Sequence, residues 1–154
     1  MDRLTPDQQR LLKRRLELFD EFFDELVPVL VEFIQLLELP DPHRVMTDAV
    51  DYLPAVDLWV QRQVLTPDDE VWLLVRLTYF IGEYYIQRFG GIWFVQEDPK
   101  SPLFARYVVG CFTGVSRPNV SFDPYDVAAL CLAEPPGRSL INVLAGVDKE
   151  LEEI

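Results

Sequence analysis

Glu83 is the acid that stands out for chemistry, because it interrupts the most apolar helix-like stretch of the chain. Gly82, Tyr84, Tyr85 and Arg88 surround it, and Trp93 follows shortly after. Together they describe a small polar pocket against an indole. A carboxyl held there has its ionised form disfavoured by desolvation and suits acid–base work or ligand binding. Glu83, Tyr84, Tyr85 and Trp93 are therefore the candidate ligand pocket. A plainer account competes: Arg76, Glu83 and Gln87 are spaced to share one side of a helix, as the polar stripe of a half-covered helix does.

The other chemistry-bearing residues have simpler explanations. His43, the only histidine, stands at a helix start beside Asp41 and Arg44. A lone histidine without Cys or His neighbours builds no structural zinc site, so it reads as an exposed helix-start residue. Asp48 with Asp51, and Asp68 with Asp69 and Glu70, are the acid groups that suggest paired carboxylates or a divalent cation. The second group falls in the first turn of a helix, where acids favour the positive end of the dipole. Cys111 and Cys131 form neither a disulfide framework nor a metal-ligand spacing. Both lie in apolar runs, where free cysteine acts as a small buried hydrophobe. The sequence contains no Gly-rich phosphate loop, Gly-x-Ser-x-Gly elbow or His-Glu-x-x-His. The expectation is a chain that is not an enzyme, with no catalytic residue, metal or cofactor.

The net charge is −12. Acids exceed bases all along the chain, 9 to 5 over residues 1–40 and 7 to 4 over residues 104–154. Nucleic acid rewards clustered Lys and Arg, so it is excluded as a partner. The charge permits a basic partner, since complementary fields raise association rates, and solubility alone also accounts for it. The richest apolar stretch, residues 26–39, is broken by Pro28, Glu32, Gln35 and Glu38, short of the ~20 apolar residues a spanning helix needs. No membrane association is expected. The first residues do not resemble a signal peptide, and a reducing cytoplasm is the expected location.

Helices must position all of these groups. Thr5-Pro6, Asp41-Pro42, Thr66-Pro67 and Asp123-Pro124 each place an oxygen-bearing cap before a proline, which at that position loses no helical bond. Gln8 completes a capping box with Thr5. The first helix is expected over about 6–38. Leu12, Leu16, Phe19, Phe23, Leu26, Leu30, Phe33 and Leu37 form a heptad seam along it, continuous through Pro28. Helices are expected over about 42–63 and 67–89, the latter ended by Gly90. An antiparallel hairpin over about 92–112 follows, apolar on both faces and so covered by helices, with a short third strand near Asn119 to Phe122. Helices over about 124–133 and 139–152 close the chain, Ser139 capping the last and Glu152-Glu153 fraying. The expected fold is a single domain of α+β class, mostly helical, with N-terminal helices packed on a small antiparallel sheet and C-terminal helices.

The stretch Tyr79-Phe80-Ile81-Gly82-Glu83-Tyr84-Tyr85-Ile86-Gln87-Arg88-Phe89-Gly90-Gly91-Ile92-Trp93 resembles a pattern in small bacterial domain-of-unknown-function and toxin-immunity-type proteins. There a helix ends in glycine, a Trp opens a hairpin and a Pro-led helix follows. Phe122-Asp123-Pro124-Tyr125-Asp126-Val127-Ala128 is similar to that later helix start. The resemblance covers roughly residues 66–135, rests on structural residues and names no functional one. It implies a protein that acts by binding another.

Three functional expectations follow. The first is a bacterial non-enzymatic protein-binding domain, in its sharpest form an acidic immunity-type inhibitor of a basic protein. The second is a structural homodimer formed through the first helix, whose bases Arg10, Lys13, Arg14 and Arg15 precede the acids Asp20, Glu21, Asp24 and Glu25 and so attract an antiparallel copy. The third is a small enzyme or ligand pocket around Glu83.

Overall fold

The computed structural model describes residues 3–115 and 120–152. It is a mostly helical α+β arrangement of five α-helices, one 3-10 turn and a three-stranded antiparallel sheet. Helix α1 (Pro6–Leu36) opens on Thr5, whose hydroxyl accepts from the Gln8 amide while the Gln8 side chain accepts from the Thr5 amide. It runs through the exposed Pro28 and stops two residues short of the expected end. Glu38 takes the left-handed conformation, φ 59°. Its amide donates to the Gln35 carbonyl at 2.9 Å, and the Leu39 amide to the Ile34 carbonyl at 3.4 Å. Those two bonds make a Schellman turn, with a glutamate where glycine is usual.

The second helix departs from expectation at its start. Asp41 is left-handed (φ 48°) and caps nothing with its side chain. Residues Pro42–Arg44 form a 3-10 turn, and α2 (Val45–Arg62) follows with Asp48 out of helical geometry at φ −129°, ψ 45°. Gln87 bridges that kink: its Oε1 accepts from the Ala49 amide at 2.7 Å and its Nε2 donates to the Val45 carbonyl at 2.9 Å.

Helix α3 (Pro67–Phe89) begins on a Thr66–Asp69 capping box and ends on Gly90 at φ 71°. Every residue from 77 to 85 is buried. The helix packs against α1, α2, β2 and, most extensively, α4 (Pro124–Leu132). Strand β1 (Ile92–Val95) pairs with β2 (Tyr107–Gly110), Trp93 opposite Val109, and β2 pairs with β3 (Ser121–Phe122). Asn119 lies outside the described residues.

The hairpin is covered unevenly: Val108 and Val109, on opposite faces of β2, are both buried, and the Ile92 end of β1 is open. Trp93 and Val95 are buried, whereas Ile92 is 55% exposed. β2 is also shorter than expected, because Ala105 and Cys111 adopt φ 64° and 55° and break the strand at both ends. Cys111 is thereby exposed, contrary to the buried position its apolar run suggests, while Cys131 is buried and its thiol is pushed up to about 11 by desolvation. Helix α4 is capped by Asp123, which accepts from the Tyr125 amide at 2.9 Å.

The last helix, α5 (Leu140–Glu152), is started from two elements. Ser139 Oγ accepts from the Asn142 amide at 3.1 Å, and the buried Asp57 of α2 accepts from the Ile141 amide at 3.1 Å. Glu153 lies outside the described residues. Arg138, also buried, donates to the Val60 and Gln63 carbonyls at the end of α2. Among the described residues no helix is long and apolar enough to cross a membrane.

Candidate binding groove

Gly82 sets the geometry of the site. A Cβ built there falls 1.9 Å from Trp93 Cζ2, so only glycine lets the indole lie directly on α3. With the ring in that place, Trp93 Nε1 donates to Glu83 Oε1 at 3.1 Å. Phe22 of α1 meets the same indole edge-on at 5.2 Å, and Tyr79 does so at 6.5 Å. Glu83 is 9% exposed, and the hydrogen bond from Trp93 is its only protein partner among the described residues. Among the described residues no buried side-chain oxygen lacks a partner, so Oε2 is not sealed from solvent, and Glu83 lines an open groove. Desolvation holds this carboxyl above its ordinary value, and the Trp93 hydrogen bond opposes that shift in part.

The groove has a volume of about 510 Å³. Phe19, Phe23, Asp20 and Asp24 of α1 form one wall; Ile86 and Glu83 of α3, with Ile92 and Trp93 of β1, form the other. Phe23 and Ile92 are 51% and 55% exposed, so the walls are apolar and open to solvent. Three carboxyl groups and three aromatic rings line it, and the lining includes no cationic side chain. That composition suits a ligand with a positive charge on an apolar stem.

The structure brings Glu83 and Trp93 together and turns Tyr84 and Tyr85 away. Successive helical residues step 100° around the axis. Tyr85 is fully buried and donates its hydroxyl to the Leu144 carbonyl of α5 at 2.9 Å. Burial pushes its phenol far up. Tyr84 stacks on Phe80, and its hydroxyl accepts from Arg88 Nη1 at 3.1 Å. Arg88 in turn pairs with Asp148 at 2.9 Å, so it belongs to the α3–α5 seam and not to the groove.

Gln87 is no part of a solvated stripe, since it staples α2. Asp20, Asp24, Phe19 and Phe23 were legible only as a charged face and a heptad seam. The signal for them is that Asp20, Phe23 and Asp24 fall on one side of the helix, at spacings of three and four.

The remaining candidates are structural. His43 is exposed. Asp48 and Asp51 both pair with Arg44, at 3.4 and 3.3 Å. Asp69 is spent on the α3 cap. On the other side of α1, Arg106 pairs with Asp126 at 2.7 Å and with the buried Asp123 at 3.4 Å, tying β2 to the start of α4. Among the described residues no group of three or more His, Cys, Asp or Glu is arranged to hold a metal ion. No protein-family model, curated protein or solved structure matches the chain.

Proposed function

We propose that the chain is a non-catalytic protein-binding domain that takes a basic segment of another protein in the groove between α1 and the Glu83–Trp93 pair. One observation carries this reading. An open apolar cleft of about 510 Å³ is lined by Asp20, Asp24 and Glu83 and by no base, on a chain of net charge −12. Apolar walls supply affinity through removal of surface from water, and the acids supply orientation and approach rate. The sharpest form is an immunity-type inhibitor that occupies a basic protein in the bacterial cytoplasm, in keeping with the resemblance over residues 66–135. The test is capture from the source lysate at low salt with the parent chain and with Asp20→Lys/Asp24→Lys. A basic protein held in stoichiometric amount by the parent, released by salt and lost by the variant, supports it. Equal capture by both, or no capture, sinks it.

A second reading rests on a different feature. Leu16, Phe23 and Val27, 44%, 51% and 45% exposed, make a strip along α1, and the bases that precede its acids match an antiparallel copy. Sedimentation at high micromolar concentration decides it: a dimer that Phe23→Glu dissociates supports the pairing, and a monomer rules it out.

A further inference from the structure

Resting on the basic-partner reading, we infer that the groove is a lysine pocket: a partner's lysine lays its aliphatic stem along Phe23, Ile86 and Ile92 and sets its ammonium on Glu83 Oε2. Four observations select this occupant. Glu83 is nine-tenths buried and lines the groove, with one oxygen held by Trp93 Nε1 at 3.1 Å and the other without a protein partner. With Oε1 partly engaged by the indole, Oε2 is the acceptor that has no protein donor among the described residues. That suits a compact ammonium, whereas a guanidinium fork matches two parallel acceptors. Phe19, Phe23 and Trp93 line the same groove, and aromatic faces attract a cation.

The groove, at about 510 Å³, has the size of a drug-like site, roughly 300–1,000 Å³. It holds a lysine together with the residues on either side of it. Asp20 and Asp24, exposed and one turn apart on α1, then meet further bases on the same segment. These features favour a protein segment over a free amine.

The ion pair requires ionised Glu83. The charged groups that face it are Asp20 and Asp24 from α1, with the neutral Trp93 indole from β1. Burial raises the carboxyl's titration, so affinity increases as pH rises through that range. It stays level until the lysine itself deprotonates near pH 10.4.

The experiment follows the Trp93 indole Nε1–H resonance of the full chain, labelled with nitrogen-15 at tryptophan and assigned by Trp93→Phe. The probes are a seven-residue peptide of alternating leucine and arginine with a central lysine, the same peptide with norleucine at the centre, hexylammonium, hexylguanidinium and hexanol. The lysine peptide is expected to shift the resonance saturably, and the norleucine peptide to bind roughly tenfold more weakly. Hexylammonium is expected to bind more tightly than hexylguanidinium, and more weakly than the lysine peptide. Glu83→Gln removes the preference for lysine over norleucine. Because Phe23 is exposed, Phe23→Arg gives a folded second variant, expected to block the pocket if Glu83→Gln does not fold. Equal binding of the two peptides overturns the inference, as does hexanol acting like hexylammonium or the free amine binding as tightly as the peptide. A captured basic protein whose binding survives Glu83→Gln overturns the lysine pocket alone. A bound lysine peptide with no basic protein captured overturns the proposed function alone.

Discussion

Gly82 and Glu83 are adjacent in the chain and do opposite things to Trp93: one makes room for the indole, the other holds its nitrogen. Gly82→Ala puts a methyl group where Trp93 Cζ2 and Cη2 now lie, 1.9 and 2.4 Å from the new Cβ. The indole must move, and overpacking of this kind costs roughly 1–3 kcal/mol. The expected result is a lower Tm with loss of the Glu83–Trp93 hydrogen bond, seen as an upfield move of the indole N–H resonance. Glu83 itself gives a prediction whose sign follows from its raised titration. The folded chain binds this proton more tightly than the unfolded chain, so the protonated form stabilises the fold. That contribution is complete below the ordinary value of 4.5 and is lost as pH rises through the higher folded value. Glu83→Gln keeps an oxygen for Trp93 and carries no charge at any pH. Its Tm is therefore expected to exceed the parent's near neutral pH and to converge with it in acid; a parent more stable than the variant at neutral pH contradicts this. At this scale the sequence was half legible. An acid inside an apolar helix is visible without a structure, and so is a tryptophan just past a glycine stop. The direction of Tyr84 and Tyr85 was not, because it depends on which side of α3 the Glu83 carboxyl faces, and α5, which covers the other side, begins more than fifty residues later.

Elements declare their beginnings more clearly than their ends. Thr5, Thr66 and Asp123 each accept a backbone hydrogen bond at a helix start, as an oxygen before a proline indicates. Asp41 carries the same signal and fails, because its backbone is left-handed and the Tyr52 hydroxyl donates to the Asp41 carbonyl at 2.6 Å. A tertiary contact has overridden a local preference there. The end of α1 is illegible for a related reason: glycine marks a left-handed stop, and Glu38 occupies one without being glycine. A left-handed residue with a Cβ costs about 1–2 kcal/mol, and glycine returns part of that as unfolded-chain entropy. Glu38→Gly is therefore expected to stabilise the chain by about 0.5–1 kcal/mol in denaturant unfolding, with an unchanged m-value. A loss of stability would show that the Glu38 side chain contributes something the backbone turn does not. In its cover, the hairpin departs from expectation only at the Ile92 end of β1. Apolar residues on both faces of β1 imply a strand enclosed by helices, but α1 packs Phe22 on the Trp93 side, and Ile92, which points the other way, meets solvent at the edge of a cleft.

That cleft follows from how unequally the molecule is packed. α3 is buried without interruption over residues 77–85. The first half of α1, by contrast, exposes Leu11, Leu16 and Leu18, Phe23 just beyond it is exposed as well, and open grooves run along both sides of this stretch. Few contacts hold this half down. The Phe22 ring sits against Tyr79 and Tyr107 at 4.9 and 4.7 Å. The Tyr79 and Tyr107 hydroxyls donate to the Phe22 and Arg15 carbonyls, each at 2.8 Å. Regions with few buried contacts open below the global unfolding free energy. Backbone amides over residues 9–25 are therefore expected to exchange with solvent well before those of residues 77–85, whose exchange tracks global unfolding. Tyr107→Phe removes one tether, and a net hydrogen bond is worth about 1 kcal/mol, or roughly fivefold in an opening equilibrium. It is expected to speed exchange over residues 9–25 by that factor while leaving residues 77–85 and the Tm almost unchanged. A basic segment bound between Phe23 and Ile92 spans both walls of the groove and fastens this half of α1 to α3 and β1, so it slows the same amides. If Tyr107→Phe accelerates both regions alike, α1 and α3 unfold as one cooperative unit, and the groove is a rigid cleft instead of one whose wall gives way to a partner.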